Sequence, residues 1–175
     1  YMPIETGEVC TVVAHSTTKT PPSRLPCEYP ELSSLDQGGS GVSCSNKHYG
    51  EPWRLIQKTL GVDMGDGWET ARHHSRPAIL VKNPETNLTD SPLLDWAILK
   101  LGKEASNGVA RVILDTKHFR GNYPESILVE GCYNPKDEAS TNATWFPLIP
   151  RTRMSPDSEH VFDQSKDQVH NATRP

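Results

Sequence analysis

Three polar clusters hold the side chains that could do chemistry. "MGDGWETARHH", Met64 to His74, gathers Asp66, Glu69, Arg72, His73 and His74 around two glycines and a tryptophan. "DTKHFRGN" carries Asp115, Thr116, His118, Arg120 and Asn122, and "PRTRMSPDSEH" carries Arg151, Thr152, Arg153, Asp157 and His160. Carboxylates and imidazoles move protons, and a guanidinium fork clamps planar anions. Each cluster also reads as a solvated turn. Gly65 and Gly67 can supply positive φ around Asp66, Trp68 can anchor a core, and Glu69 with Arg72 can form a surface ion pair. Asp115 and Asn122 likewise suit turn backbone angles. The "DTKHFRGN" cluster follows directly on an apolar run, so Asp115 and His118 are expected at a strand end, where a rigid sheet can hold a site.

Spacing removes several chemistries. His73 and His74 are adjacent and point to opposite faces of an extended chain, so they do not share a metal. No H-x-H, H-x-x-E-H or H-E-x-x-H spacing occurs, and neither metal nor organic cofactor is expected. Phosphate-binding glycine loops and the G-x-S-x-G elbow are missing. Cys10, Cys27, Cys44 and Cys132 contain no C-x-x-C pair, which excludes a zinc knuckle or a thioredoxin-type motif. Cys44 and Cys132 sit in β-like apolar settings and read as packing residues, with a Cys–His nucleophilic pair still open. Scattered thiols of this kind read as reduced and suit a cytoplasmic or peroxisomal protein. Three Asn-x-Thr triplets, at Asn87, Asn142 and Asn171, would instead suit a secreted glycoprotein module.

The elements that must position these residues are short. The chain has 175 residues, one domain's worth, with a hydrophobic share of 34% and a mean hydropathy of −0.61. With 15 prolines and 12 glycines it should be rich in loops. A net charge of −4 without a basic run argues against nucleic acid as partner. No apolar run approaches the roughly 20 residues of a bilayer span, so no membrane is expected either. Residues 1–40 read as a linker or poorly ordered arm in which only Val9 to Ala14 has strand composition. A domain is expected over residues 41–175. "VSCS", "LLDWAILKLG", "VARVILD", "ESILVEG", "TWFPLI" and "HVF" read as strands in it. "EPWRLIQKTL" reads as a short helix with Trp53, Ile56 and Leu60 on one face. A long excursion runs between Arg72 and Leu93. The pattern is all-β, a sandwich or barrel, with no internal repeat.

"GVSCSNKHYGEP", "DMGDGWETARH", "DWAILKLG", "LDTKHFRGNYPES" and "WFPLIPRTRMSPDSEHVF" follow one another as the corresponding motifs do in allantoicases. From Gly41 to about Phe162 the chain resembles that family. It looks like the second repeat of a fungal member, without the first repeat and without its last strands. The resemblance implies a jelly-roll β-sandwich of galactose-binding-like type, assembly into homo-oligomers, and hydrolysis of allantoate to ureidoglycolate and urea in allantoin breakdown. Allantoate carries one carboxylate and two ureido groups on a single carbon. On that reading Arg72 or Arg151 clamps the carboxylate, Glu69, Asp115 and His118 serve as acid and base, and Asn122 binds a ureido group. The pattern departs at Asn46, where the family often has Asp, and at Trp53-Arg54, where it often has Glu-Asn. Arg72-His73-His74 replaces a usual Arg-x-Arg, and Leu93-Leu94 precedes Asp95-Trp96 where Gly-His is usual. These departures keep a second reading alive: a catalytically inactive sandwich that acts as a ligand-binding or oligomerisation module.

Overall fold

The computed structural model describes residues 6–13, 31–102, 108–132 and 144–170, the first of these through its backbone alone. Cys27, Asn142, Asn171 and residues 14–30 of the expected arm lie outside the described residues. The architecture is all-β. Seven strands are described: β1 (Thr6–Val13), β2 (Ser40–Cys44), β3 (Leu94–Lys100), β4 (Arg111–Asp115), β5 (Pro124–Gly131), β6 (Phe146–Arg153) and β7 (Glu159–Asp163). Each overlaps a stretch read as a strand in the sequence, though β6 runs on through residues 150–153 of the third polar cluster. The remaining regular elements are 3-10 turns of three to five residues.

One sheet has the order β2-β3-β1-β5-β6, and β4 pairs with β7 in a second. In the larger sheet β1 runs parallel to both β3 and β5, while β2–β3 and β5–β6 are antiparallel. Ala97, Ile98 and Leu99 of β3 are buried in succession, so both faces of that strand are covered. This is why its sequence is a continuous apolar run and not an alternation. Ile98, Leu99, Ile127, Val129 and Ile149 from the larger sheet and Val112 and Phe162 from the smaller belong to one core cluster.

Two local differences from the sequence expectation have physical causes. The short helix is a 3-10 turn, Pro52–Ile56, with Pro52 supplying its first φ and the chain returning to extended angles at Gln57. Ile56 enters the core but Leu60 is 50% exposed, so the expected single apolar face does not form. Described structure also lies ahead of Gly41, in β1 at the centre of the larger sheet, within the stretch read as a linker or arm, and again from Glu31 onward. Leu32 joins the core, its carbonyl accepts from the Gly102 N–H at 2.8 Å, and Ser33 and Ser34 are buried. A single leucine among serines carries little compositional signal.

The smaller sheet is closed at one end by a charged pair. The Nε and Nη2 of Arg111 donate to Asp163 Oδ2 at 3.0 and 2.7 Å, and Asp163 Oδ1 accepts from the backbone and hydroxyl of Ser165 at 2.9 and 2.6 Å. The Ser165 hydroxyl first, and Arg111 next, hold the Asp163 carboxyl down to about 2. An unfolded Asp titrates near ~3.9. A folded value below the unfolded one adds stability that is present above pH ~4 and lost as pH falls towards ~2. Urea midpoints measured across this window should fall for the wild type and fall less for Asp163→Asn. In the core, Ile149 is 1% exposed. Ile149→Ala should lower unfolding free energy by about 2–5 kcal/mol. The same change at Ile79, 81% exposed, should stay within about 0.5 kcal/mol in the same denaturation series.

Candidate active site

A cavity of about 280 Å³ is lined from both sheets. Ile113 and Leu114 of β4, Ile127 of β5 and the side chains of Trp68, Phe119 and Met154 give it apolar walls, and acidic residues crowd its polar part. Its size suits a small metabolite.

The "MGDGWET" stretch forms one wall, and hydrogen bonds fold it locally. Asp63 accepts from the Gly65 N–H at 2.7 Å, and Asp66 Oδ2 accepts from the Val62 N–H at 2.8 Å. Gln57 Nε2 donates to the Asp66 carbonyl at 2.7 Å. Gly67 has φ −94°, and neither it nor Gly65 has the positive φ that the turn reading expects. Gly67 is required for space instead: a Cβ there would lie 2.6 Å from Phe119 Cζ. Positive φ belongs to Gly50, at 134°, where a Cβ would meet the Gly67 carbonyl oxygen at 2.8 Å. Trp68 packs against the core, as expected, and its Nε1 donates to the Asn46 carbonyl at 2.8 Å. Asn46 Oδ1 accepts from the backbone of His48 and Ala71 at 2.9 and 3.3 Å. An amide oxygen fills that role as well as a carboxylate would.

Asp95, buried on β3, also lines the cavity. Its Oδ1 accepts from the Ser45 hydroxyl at 2.6 Å, and its Oδ2 lies 3.2 Å from His73 Nε2. His73 thus contacts a buried carboxylate. Among the described residues, no three His, Cys, Asp or Glu side chains converge at metal-binding range.

The "DTKHFRGN" stretch forms the facing wall. Thr116 Oγ1 donates within a turn whose acceptors are the Ser155 and Ser158 carbonyls, at 2.7 and 3.0 Å. His118 is left-handed, with φ 73°, and is held there because its N–H donates to Asp157 Oδ1 at 2.8 Å while the Asp157 N–H donates to the Phe119 carbonyl at 3.0 Å. The His118 N–H, helped by Arg120 at 3.3 Å, keeps the Asp157 carboxyl below the usual carboxylate range. His118 Nε2 lies 3.1 Å from the Gly61 carbonyl. A carbonyl only accepts, so Nε2 carries the proton in that contact and Nδ1 is the basic nitrogen of the neutral ring. Asn122 Nδ2 donates to Glu69 Oε1 at 2.7 Å and ties the two walls together.

Four of the six residues singled out from the sequence, Glu69, Asp115, His118 and Asn122, line this cavity. Arg72 is exposed and does not line it. Glu69 meets Asn122 instead of the expected Arg72. Arg151 is drawn elsewhere: its Nε donates to Ser126 Oγ at 2.9 Å, its Nη2 donates to the Thr89 carbonyl at 2.8 Å, and it lies 3.7 Å from Glu125. Glu125 is 1% exposed and also pairs with Arg153 at 3.3 Å, while Arg153 donates to the Asn87 carbonyl at 2.9 Å. These arginines fasten the long excursion to β5. Sequence reasoning passed over Asp95, Phe119 and Arg54 as lining residues. The "LDTKHF" motif itself pointed to Phe119, but Arg54 lay in a stretch read as a helix face.

The sequence model of the allantoicase repeat matches residues 30–174. The chain belongs to the allantoicase family. It is 35% identical over 139 residues to the allantoicase of Saccharomyces cerevisiae, and 34% identical over 132 residues to a probable allantoicase of Schizosaccharomyces pombe. The matches cover 78% and 75% of this chain but 36% and 34% of those proteins. The chain therefore spans about a third of the length of the curated relatives it matches. The crystal structure of the S. cerevisiae allantoicase superposes with a TM-score of 0.57 at 35% identity, over 75% of this chain and 34% of that one.

The contact between Gly50 and Gly67 yields a direct test. Gly50→Ala should destabilise by more than about 1 kcal/mol, through both φ and the Gly67 carbonyl. Gly121→Ala, where an added Cβ meets nothing within 4 Å, should leave the thermal midpoint nearly unchanged.

Proposed function

We propose that this chain supplies a catalytic unit of an allantoicase that hydrolyses allantoate to ureidoglycolate and urea. The observation that carries the reading is the convergence of Glu69 and Asn122, from separate family motifs, in one hydrogen bond at the wall of a metabolite-sized cavity that His118 and Asp115 also line. In the reaction one C–N bond of allantoate breaks, urea leaves with a proton, and water delivers hydroxyl to the carbon. His118 Nδ1, with Nε2 fixed on Gly61, is the base that takes the proton of water. Glu69 or Asp115 donates to the departing ureido nitrogen. Asn122 Oδ1 accepts ureido N–H groups, its amide nitrogen being given to Glu69. The same reading takes the two sheets as a jelly-roll sandwich of galactose-binding-like type and the working protein as a cytoplasmic or peroxisomal homo-oligomer. Among the described residues no helix is long and apolar enough to cross a membrane.

Urea release from allantoate by the full-length gene product tests the proposal. Glu69→Gln and His118→Ala should each lower kcat about 10²- to 10⁴-fold while leaving the thermal midpoint within a few degrees. Unchanged urea release in both variants would remove the assigned acid and base. No urea from the wild type would favour the binding-module reading.

A further inference from the structure

Among the described residues that line the cavity, seven are Asp or Glu, namely Glu31, Asp63, Asp66, Glu69, Asp95, Asp115 and Glu159, and two are Lys or Arg. Several of these acids are already met by neutral donors: Asp63 by Gly65 N–H, Asp66 by Val62 N–H, Glu69 by Asn122 and Asp95 by the Ser45 hydroxyl. An anionic substrate entering such a cavity meets like charge, so it needs a cation that the protein has not already spent on its own acids. Arg111, Arg120, Arg151 and Arg153 all pair with carboxylates of the chain. Of the two lining cations, Lys117 is exposed.

Arg54 is the other. It is half-buried, and no group among the described residues accepts a hydrogen bond from its guanidinium. Its carbon ζ sits 5.9 Å from the Trp53 ring, so an aromatic face supports the charge without occupying the N–H fork. Its stem is placed by backbone: the Arg54 N–H donates to the Glu51 carbonyl at 3.0 Å, and Gly50 leaves room for the stem, since a Cβ there would lie 2.9 Å from Arg54 Cδ. The shape, charge and uncommitted donors are those of a carboxylate receptor.

We propose that Arg54 recognises the substrate carboxylate and sets the preference of this cavity for an α-carboxylate over a neutral ligand. The inference rests on the allantoate reading for its substrate. It assigns to Arg54 the clamp that the sequence suggested for Arg72 or Arg151, at a position where the family pattern often carries Asn.

The test uses the full-length product, calorimetric binding and urea release. The probes are allantoate and its primary amide, in which the carboxylate is neutral. Arg54→Gln should weaken allantoate binding and raise KM about 10- to 100-fold, with kcat changed far less, and should leave binding of the amide within about threefold. Arg54→Lys should fall between wild type and Arg54→Gln, because it restores charge but not the fork. Thermal midpoints confirm that the variants fold. If Arg54→Gln binds and turns over allantoate like the wild type, or loses allantoate and amide equally, the Arg54 assignment is overturned while the hydrolase reading stands. If allantoate binding depends on Arg54 but no urea is released, the hydrolase reading falls and the assignment stands. If the wild type does not bind allantoate, both fall.

Discussion

The cavity depends on the Phe119 ring lying against the backbone of Gly67. Any side chain at Gly67 would occupy the place of the ring edge. This contact sets the distance between the "MGDGWET" and "DTKHFRGN" walls, and the hydrogen bond from Asn122 to Glu69 spans them. Gly50 approaches the Gly67 carbonyl, so three segments distant in sequence meet at Gly67. The third polar cluster enters through Asp157, whose carboxylate and N–H grip the backbone on either side of the His118–Phe119 peptide. Close packing of this kind tolerates little added volume, which is why glycine stands at positions 50 and 67.

The same constraint explains the charge arrangement. Three of the acids lining the cavity, Asp63, Asp66 and Asp115, lie at turns whose backbone N–H groups satisfy them. A turn built this way places a carboxylate at the surface of a cavity without a counter-ion beside it. At Asp63, Asp66 and Asp115 the wall is acidic and met by neutral donors, so a guanidinium free to meet an anionic substrate becomes decisive. The buried Glu125 works in the opposite sense. A carboxylate with 1% exposure must be compensated, and Arg151 and Arg153 do so from β6. Their guanidinium groups then hold the excursion through the Thr89 and Asn87 carbonyls.

Much of this was legible in the sequence, and the parts that were not share a cause. Strands were readable because β3, β4 and β5 are apolar runs closed by Gly, Asp or Pro, and a sheet buried on both faces asks for little else. Four cavity residues were readable because motif order identified the segments that come together. The status of Gly67 was not, since a glycine needed for space and a glycine needed for φ look alike in one dimension. The part of the fold before Gly41 was hidden because β1 lies in a stretch rich in polar and proline residues, and Leu32 is a single leucine among serines and glycines.

The arginines show why chemistry alone assigns roles poorly. Arg54, Arg72 and Arg151 offer the same fork, and residue type cannot rank them. Three-dimensional commitments can. Arg151 is bound to a buried acid that would be left uncompensated if the guanidinium moved, and Arg72 lies outside the cavity. Arg54 has an aromatic support, a backbone-defined stem and no acceptor among the described residues. A binding residue differs from a structural one in what the folded chain leaves unsatisfied, and by that criterion the Arg54 guanidinium is the one positioned to meet a carboxylate.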